Sequence, residues 1–338
     1  MKALLYEGPW QMPLREVERP EPGPEDVIVS VQAAGICGSD VHGFTGFTGR
    51  RQPPLVMGHE FGGVIAAVGE RVGDFEIGDR VVVQPLLTCG ECENCRADLA
   101  NICTNRSGLG MNVNGAYAEA VRVPQKLLYR LPAGMSWEQG ALVEPLAVGM
   151  RAVNRTPFAL MDTVVIVGAG AIGLTALIAA RLRGAGIIIV TDLSPHRLEL
   201  ARRLGADVTV NVKESDPVTV VHEYSSGLGA HAAIEAVGIT ATVQQSLALV
   251  RTGGHVTWIG NSQPEVELNM QQVVTRELTI RGTYGFNEEF GRAIAAIDSG
   301  RVDVRPLIEK VAPLADGPAL FQALAQGTLD AVKVILKP

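Results

Sequence analysis

Apolar residues follow two rhythms along the chain. Up to about residue 150, "DVIVSVQAAGIC", "GGVIAAVG", "DRVVVQP" and "YAEAVRVP" are short Val- and Ile-rich runs between Gly, Pro and Asp. That pattern predicts short strands joined by tight turns and long loops, a small barrel-like β domain. Near Pro157 the rhythm changes. The runs "TVVIVG", "GIIIVTD", "DVTVN", "AAIEAVG" and "HVTWIG" then alternate with segments of helical spacing such as "SPHRLELARRLGA". In that segment Ser194 is placed to cap the helix and Gly205 to stop it. Strand alternating with helix predicts a parallel sheet covered on both faces. The tail "DAVKVILKP" reads as a strand again, one that could return to the first domain. The division expected is 1–150, 151–290 and 291–338.

The uncharged stretch Thr163–Ala180 is long enough for a membrane span to be considered. Its β-branched start and three spaced glycines instead predict a buried strand turning into a helix. Composition adds that a sizeable core can form: 47% of residues are hydrophobic and 19% charged. A net charge of -7, with no compensating basic run, argues against nucleic acid as a partner. No secretory signal is visible in "MKALLYEGPW". A soluble, cytoplasmic protein is the expectation, where disulfides explain clustered cysteines poorly.

The glycines of "VVIVGAGAIGL" carry the first chemistry. Gly168, Gly170 and Gly173 form G-x-G-x-x-G after a strand and at a helix start, with Ile172 inside the motif. Such glycines give a tight turn, backbone approach to a pyrophosphate and close helix–strand packing. Asp192 ends the next strand where a ribose-binding carboxylate is expected, which favours NAD over NADP. Arg197 stands where it packs on the adenine or pairs locally.

Four of the five cysteines lie in "TCGECENCRADLANIC". Cys89, Cys92, Cys95 and Cys103 are spaced C-x2-C-x2-C-x7-C. All-thiolate ligation closes a tetrahedral structural zinc site with no open position. The rival is an iron–sulfur cluster, disfavoured by the long gap to Cys103 and the absence of a following proline. The fifth, Cys37, stands in "GICGSDVH" with Ser39, Asp40 and His42. His59 and Glu60 follow in "VMGHEFGG", and Glu144 in "LVEPLAVG". Together they offer a thiolate, an imidazole and carboxylates, ligands for a zinc that keeps a position open to substrate.

With these motifs in order, the chain resembles the zinc-dependent medium-chain alcohol and polyol dehydrogenases. The resemblance runs through "GICGSDVH", "GHEFGGVIAAVG", "GDRV", the cysteine lobe, "EPLAVG" and "GAGAIG". It implies an α/β protein: a GroES-like β-rich catalytic domain plus a Rossmann nucleotide-binding domain. It implies Cys37 and His59 as catalytic zinc ligands, Glu60 as a ligand or near-ligand, and Ser39 and His42 as a proton relay. Glu144 stands where many alcohol dehydrogenases have a second cysteine, as in the sorbitol and threonine dehydrogenase branch. There the carboxylate approaches zinc directly or through water. The implied reaction is oxidation of a secondary alcohol by hydride transfer to NAD, with a homodimer or homotetramer expected.

The pattern departs from its relatives at the substrate. Gly285 in "GTYGFN" replaces an arginine that sorbitol dehydrogenases commonly carry, and the Tyr284–Gly285 pair suits threonine dehydrogenases better. The "PLL" before Cys89 is nearer to hexitol-phosphate dehydrogenases, and Arg50 and Arg51 are candidates to meet a phosphate. A non-catalytic NAD-binding protein is the alternative of another class. "HVTWIG" and "LTIRGTYG" are the candidate subunit contacts.

Overall fold

The structure, a computed structural model, describes residues 1–338. It divides into two compact units, Met1–Glu144 with Phe290–Pro338, and Pro145–Glu289.

The first unit is organised by the strand Asp26–Gly35. It pairs antiparallel with Glu60–Val68 on one side and with Ala120–Pro124 and Lys333–Lys337 along the other. Arg80–Val83, Leu128–Arg130 and Ile308–Pro313 complete a seven-stranded sheet. Inward residues of these strands (Val27, Val29, Val31, Phe61, Ile65, Val81) are almost fully buried. Each stabilises the sheet by about 1.5–3 kcal/mol before chain entropy is subtracted. Register then sets the chemistry. Gly35 lies opposite Glu60 on one side and Ile335 on the other. Cys37, His59 and Lys333 are thereby carried to one end of the sheet. A side chain at Gly35 would collide with the Glu60 carboxylate, so the close strand pairing here depends on glycine. The short helix Gly38–Phe44 follows directly, in a segment whose sequence carries no helical periodicity.

The second unit is a six-stranded parallel sheet. Its order is Val208–Asn211, Ile187–Asp192, Thr163–Val167, Ala230–Glu235, Val250–Trp258 and Thr279–Gly282. This is the doubly wound order, in which the order of strand addition reverses beside the first strand. Every residue of Thr163–Val167 is buried, which explains its unbroken apolar run. Ser194 Oγ accepts the Arg197 N–H at 3.3 Å and caps Pro195–Arg203. Gly205 follows that helix with φ +103°. The stretch Thr163–Ala180 splits into a strand and the helix Ala171–Arg183. No helix is long and apolar enough to cross a membrane.

Candidate metal centres and dinucleotide crevice

Four sulfurs meet in a lobe with almost no apolar core. The Sγ atoms of Cys89, Cys92, Cys95 and Cys103 all lie within 4.8 Å of one another. Separations are 3.5 Å for Cys89–Cys103, 3.9 Å for Cys92–Cys103 and 4.0 Å for Cys89–Cys95. A tetrahedral ion with Zn–S bonds near 2.3 Å holds its sulfurs ~3.8 Å apart. A disulfide requires ~2.05 Å, and all five cysteines are free. A cluster that gives each thiolate its own iron would spread them further. The backbone N–H of Cys89 points at Cys103 Sγ, that of Cys92 at Cys89 Sγ and that of Cys95 at Cys92 Sγ, at 3.4–3.5 Å. Such donors favour thiolates. Those from Cys95 and Thr104 lower Cys92 to about 6, whereas burial and then the Cys92 sulfur push Cys95 up to about 12. The donor set fits one zinc ion.

The second centre sits where the sheet register gathers its residues. Donor atoms of Cys37, His59 and Glu60 lie within 4.8 Å of one another. Asp40, fully buried on the helix Gly38–Phe44, puts Oδ1 3.3 Å from His59 Nδ1. Its other contacts are Arg51 Nη2 at 3.1 Å and Tyr117 Oη at 2.7 Å. Tyr117 Oη is also 2.9 Å from Gly35 O, but its one proton goes to the charged acceptor. Burial alone would raise Asp40; His59, Arg51 and Tyr117 outweigh it and hold the carboxyl well below the usual range. Burial likewise opposes a charge on His59, yet Asp40 and Cys37 lift its pKa well above the ordinary value. A half-buried cysteine beside a buried imidazole and buried carboxylates is the donor chemistry of a cation site.

Glu60 has a partner that local sequence did not reveal. Lys333 Nζ donates to Glu60 Oε1 at 2.8 Å and Oε2 at 2.6 Å, and lies 3.2 Å from Ile36 O. Both side chains are almost completely buried. The available signal was a lysine inside the apolar strand "KVILK". Glu144, in the first turn of the helix Val143–Arg155, lies outside the close donor cluster. Burial lifts its carboxyl to about 7, with His59 pulling the other way and Glu60 adding to the rise. Ser39 Oγ is exposed and 3.4 Å from Cys37 Sγ. His42 stands one helical turn further on, against Phe47, and burial lowers its pKa. Arg51 is buried against Asp40 and also reaches Ser39 Oγ at 3.4 Å; Arg50 is exposed.

In the second unit the glycine turn lies at the carboxyl end of Thr163–Val167. Gly168 has φ +97°, and a side chain at Gly173 would collide with its carbonyl oxygen. Gly170 faces open space, the nearest atom to an added Cβ being Arg197 Nη1 at 3.9 Å. Gly170 precedes the helix Ala171–Arg183, in which Ile172 is half-buried. Free N–H groups beside an open turn suit a pyrophosphate. Asp192 Oδ2 accepts the Ala169 N–H at 2.6 Å, and Oδ1 accepts those of Leu193 and Ser194 at 2.7 and 2.9 Å. The carboxylate is thus fixed at the turn.

A dinucleotide turn on a doubly wound sheet, with one closed and one more open cation centre in the β-rich unit, defines the class of zinc- and nicotinamide-dependent dehydrogenases. Comparison with known proteins narrows it. Residues 23–133 match the alcohol dehydrogenase GroES-like domain and residues 171–299 the zinc-binding dehydrogenase domain. Sorbitol dehydrogenase of Bacillus subtilis (strain 168) is 35% identical over 343 residues, covering 100% of this chain and 97% of that one. L-threonine 3-dehydrogenase of the same organism is 33% identical over 345 residues, covering 100% and 99%. A structure from Sinorhizobium meliloti 1021, solved bound to NADP, superposes with a TM-score of 0.93 at 33% identity, covering 100% and 99%. The chain belongs to the zinc-dependent medium-chain alcohol and polyol dehydrogenase family, enzymes acting on CH–OH donors.

Proposed function

We propose that the protein oxidises a secondary alcohol of a polyol to the ketone with NAD, at a zinc held by Cys37 and His59. The observation that carries this reading is the convergence of Cys37, His59 and Glu60 donors within 4.8 Å at one end of the sheet. When bound, zinc supplies Lewis acidity at the hydroxyl and the nicotinamide supplies the hydride acceptor. The chain's own residues do the rest. Asp40 occupies the Nδ1 side of His59 and orients the ring, leaving the other nitrogen as donor. Lys333 restrains Glu60 to an exchangeable place near the metal. Glu144, with its carboxyl at about 7, adds a carboxylate that reaches the centre directly or through water. Ser39 Oγ accepts the substrate proton as its own hydroxyl proton moves on toward His42, which burial favours in the neutral form able to take it up and release it to solvent.

The polyol assignment rests on the likeness to sorbitol dehydrogenase. The Tyr284–Gly285 pair and the likeness to L-threonine 3-dehydrogenase favour threonine as the second reading. The deciding assay is a panel of polyols, hexitol phosphates, simple secondary alcohols and L-threonine with each cofactor, on protein of measured zinc content. Polyol turnover with a higher kcat/KM than L-threonine is expected. A preference for threonine would replace the reading, and no turnover by zinc-loaded, NAD-binding protein would leave a non-catalytic one.

NAD preference rests on Asp192, whose fixed negative charge would repel a 2′-phosphate. Asp192→Ser should raise the NADP-to-NAD ratio of kcat/KM by roughly tenfold or more, about 1.4 kcal/mol per tenfold. A wild type that already prefers NADP, the cofactor bound in the Sinorhizobium meliloti structure, would refute this. The outer edge of Thr279–Gly282 is unpaired within the chain and supports a homodimer or homotetramer. Five cysteines placed as metal ligands rather than in disulfides support a reducing, cytoplasmic setting.

A further inference from the structure

The parallel sheet has a second feature, at the end opposite the glycine turn. A cavity of ≈ 400 Å³ opens there, lined by Phe158, Asp162, Arg183, His231, Arg251 and His255, with Pro157 beside Phe158. Asp162 and His231 adjoin the starts of Thr163–Val167 and Ala230–Glu235, whose far ends face the crevice. A five-residue strand at ~3.3 Å per residue separates the two sites by ~16 Å. The proposed reaction uses none of these residues.

Charge decides what the cavity can hold. Asp162 is the one carboxylate in the lining, and it is already satisfied. Its Oδ2 accepts the Ala159 N–H at 2.7 Å, and its Oδ1 lies 3.2 Å from His231 Nε2. His231 Nδ1 accepts the Thr163 N–H at 3.1 Å, which fixes the Nε2–H tautomer and leaves no nitrogen for a metal. The remaining groups are donors. Arg183 gives Nη1 to Val153 O at 2.7 Å and lies over the Phe158 ring, its Cζ 4.8 Å from the centroid. The Arg251 side chain makes no hydrogen bond or ion pair. The buried Nδ1 of His255 has no partner either. Burial, then Arg281 and Arg251, keep that ring neutral by lowering its pKa, and a neutral ring still donates from one nitrogen. A cation would meet two guanidiniums; an anion would meet donors awaiting an acceptor.

We infer that this cavity binds a phosphate monoester, with Arg251, Arg183 and the His255 ring around the anion and Phe158 and Pro157 against its organic group. A guanidinium matches phosphate oxygens in geometry as well as charge. The apolar wall favours an ester over free phosphate.

The test is a calorimetric titration of zinc- and dinucleotide-loaded enzyme with phenyl phosphate and, separately, inorganic phosphate at constant ionic strength. Loading the crevice first keeps its N–H groups out of the readout. Phenyl phosphate should bind more tightly than inorganic phosphate. Arg251→Gln should weaken it roughly tenfold or more, with kcat and KM for alcohol unchanged. If Arg251→Gln does not fold, His255→Leu must show a loss of binding instead. No binding by the wild type, or equal binding by a folded variant, would overturn the site. Equal affinity for the two probes would overturn the ester and leave free phosphate as the ligand.

Discussion

Cys103→Ser is expected to release one zinc ion per chain and to unfold the cysteine lobe while the rest of the first unit stays folded. The reason is how little else holds the lobe. Its helix Glu93–Arg96 buries no residue, and Ala100–Ile102 buries only Asn101. Cys103 itself is completely buried, so the variant removes the lobe's innermost sulfur. Structural zinc sites in peptides bind with about 10–16 kcal/mol at neutral pH, far more than such a sparse core provides. The seven-stranded sheet has its own core and does not need that ion. Three results should therefore appear together. Zinc content falls by one, amides between residues 88 and 104 lose exchange protection, and proteolysis begins in that segment. The main thermal transition should move by only a few degrees. Unchanged zinc content with protected lobe amides would show that the four sulfurs do not share a metal.

That lobe was legible in the sequence because its ligands are close along the chain. The same holds for the glycine turn, where Gly168, Gly170 and Gly173 and the apolar run before them act within one strand–helix junction. The second centre was legible only in part. Cys37 and His59 stand in recognisable strings, but their neighbours are set by strand register rather than by local pattern. Lys333 is 273 residues from Glu60 and meets it because Lys333–Lys337 pairs with Asp26–Gly35. No periodicity reports that pairing. Arg51 shows the same limit: in sequence it is the second of two loop arginines, and only the fold shows Asp40 closing over it. The helix Gly38–Phe44 escaped because "GSDVHGF" has two glycines and no apolar stripe. The division of the chain falls at Glu144, within the first turn of the continuous helix Val143–Arg155, where composition changes too little to mark it.

The buried pair of Lys333 and Glu60 gives the other large effect. Lys333→Met should destabilise the protein by about 3–5 kcal/mol, because it leaves a carboxylate without water or counter-charge. Two responses are open to Glu60 in that variant: to take up a proton, or to move onto the neighbouring zinc. The first costs stability near neutral pH. The second saturates the metal and lowers kcat even in molecules that stay folded. The double variant Lys333→Met, Glu60→Gln separates stability from chemistry. With no lone charge left, it should regain most of the lost stability, and the cycle should show strong coupling between the positions. Lys333→Arg keeps the charge but must fit a larger planar group into a space with 2% exposure, so a partial loss is expected. A Lys333→Met protein as stable as the wild type would mean that the metal, rather than the lysine, already balances Glu60. Glu60 would then be a standing zinc ligand.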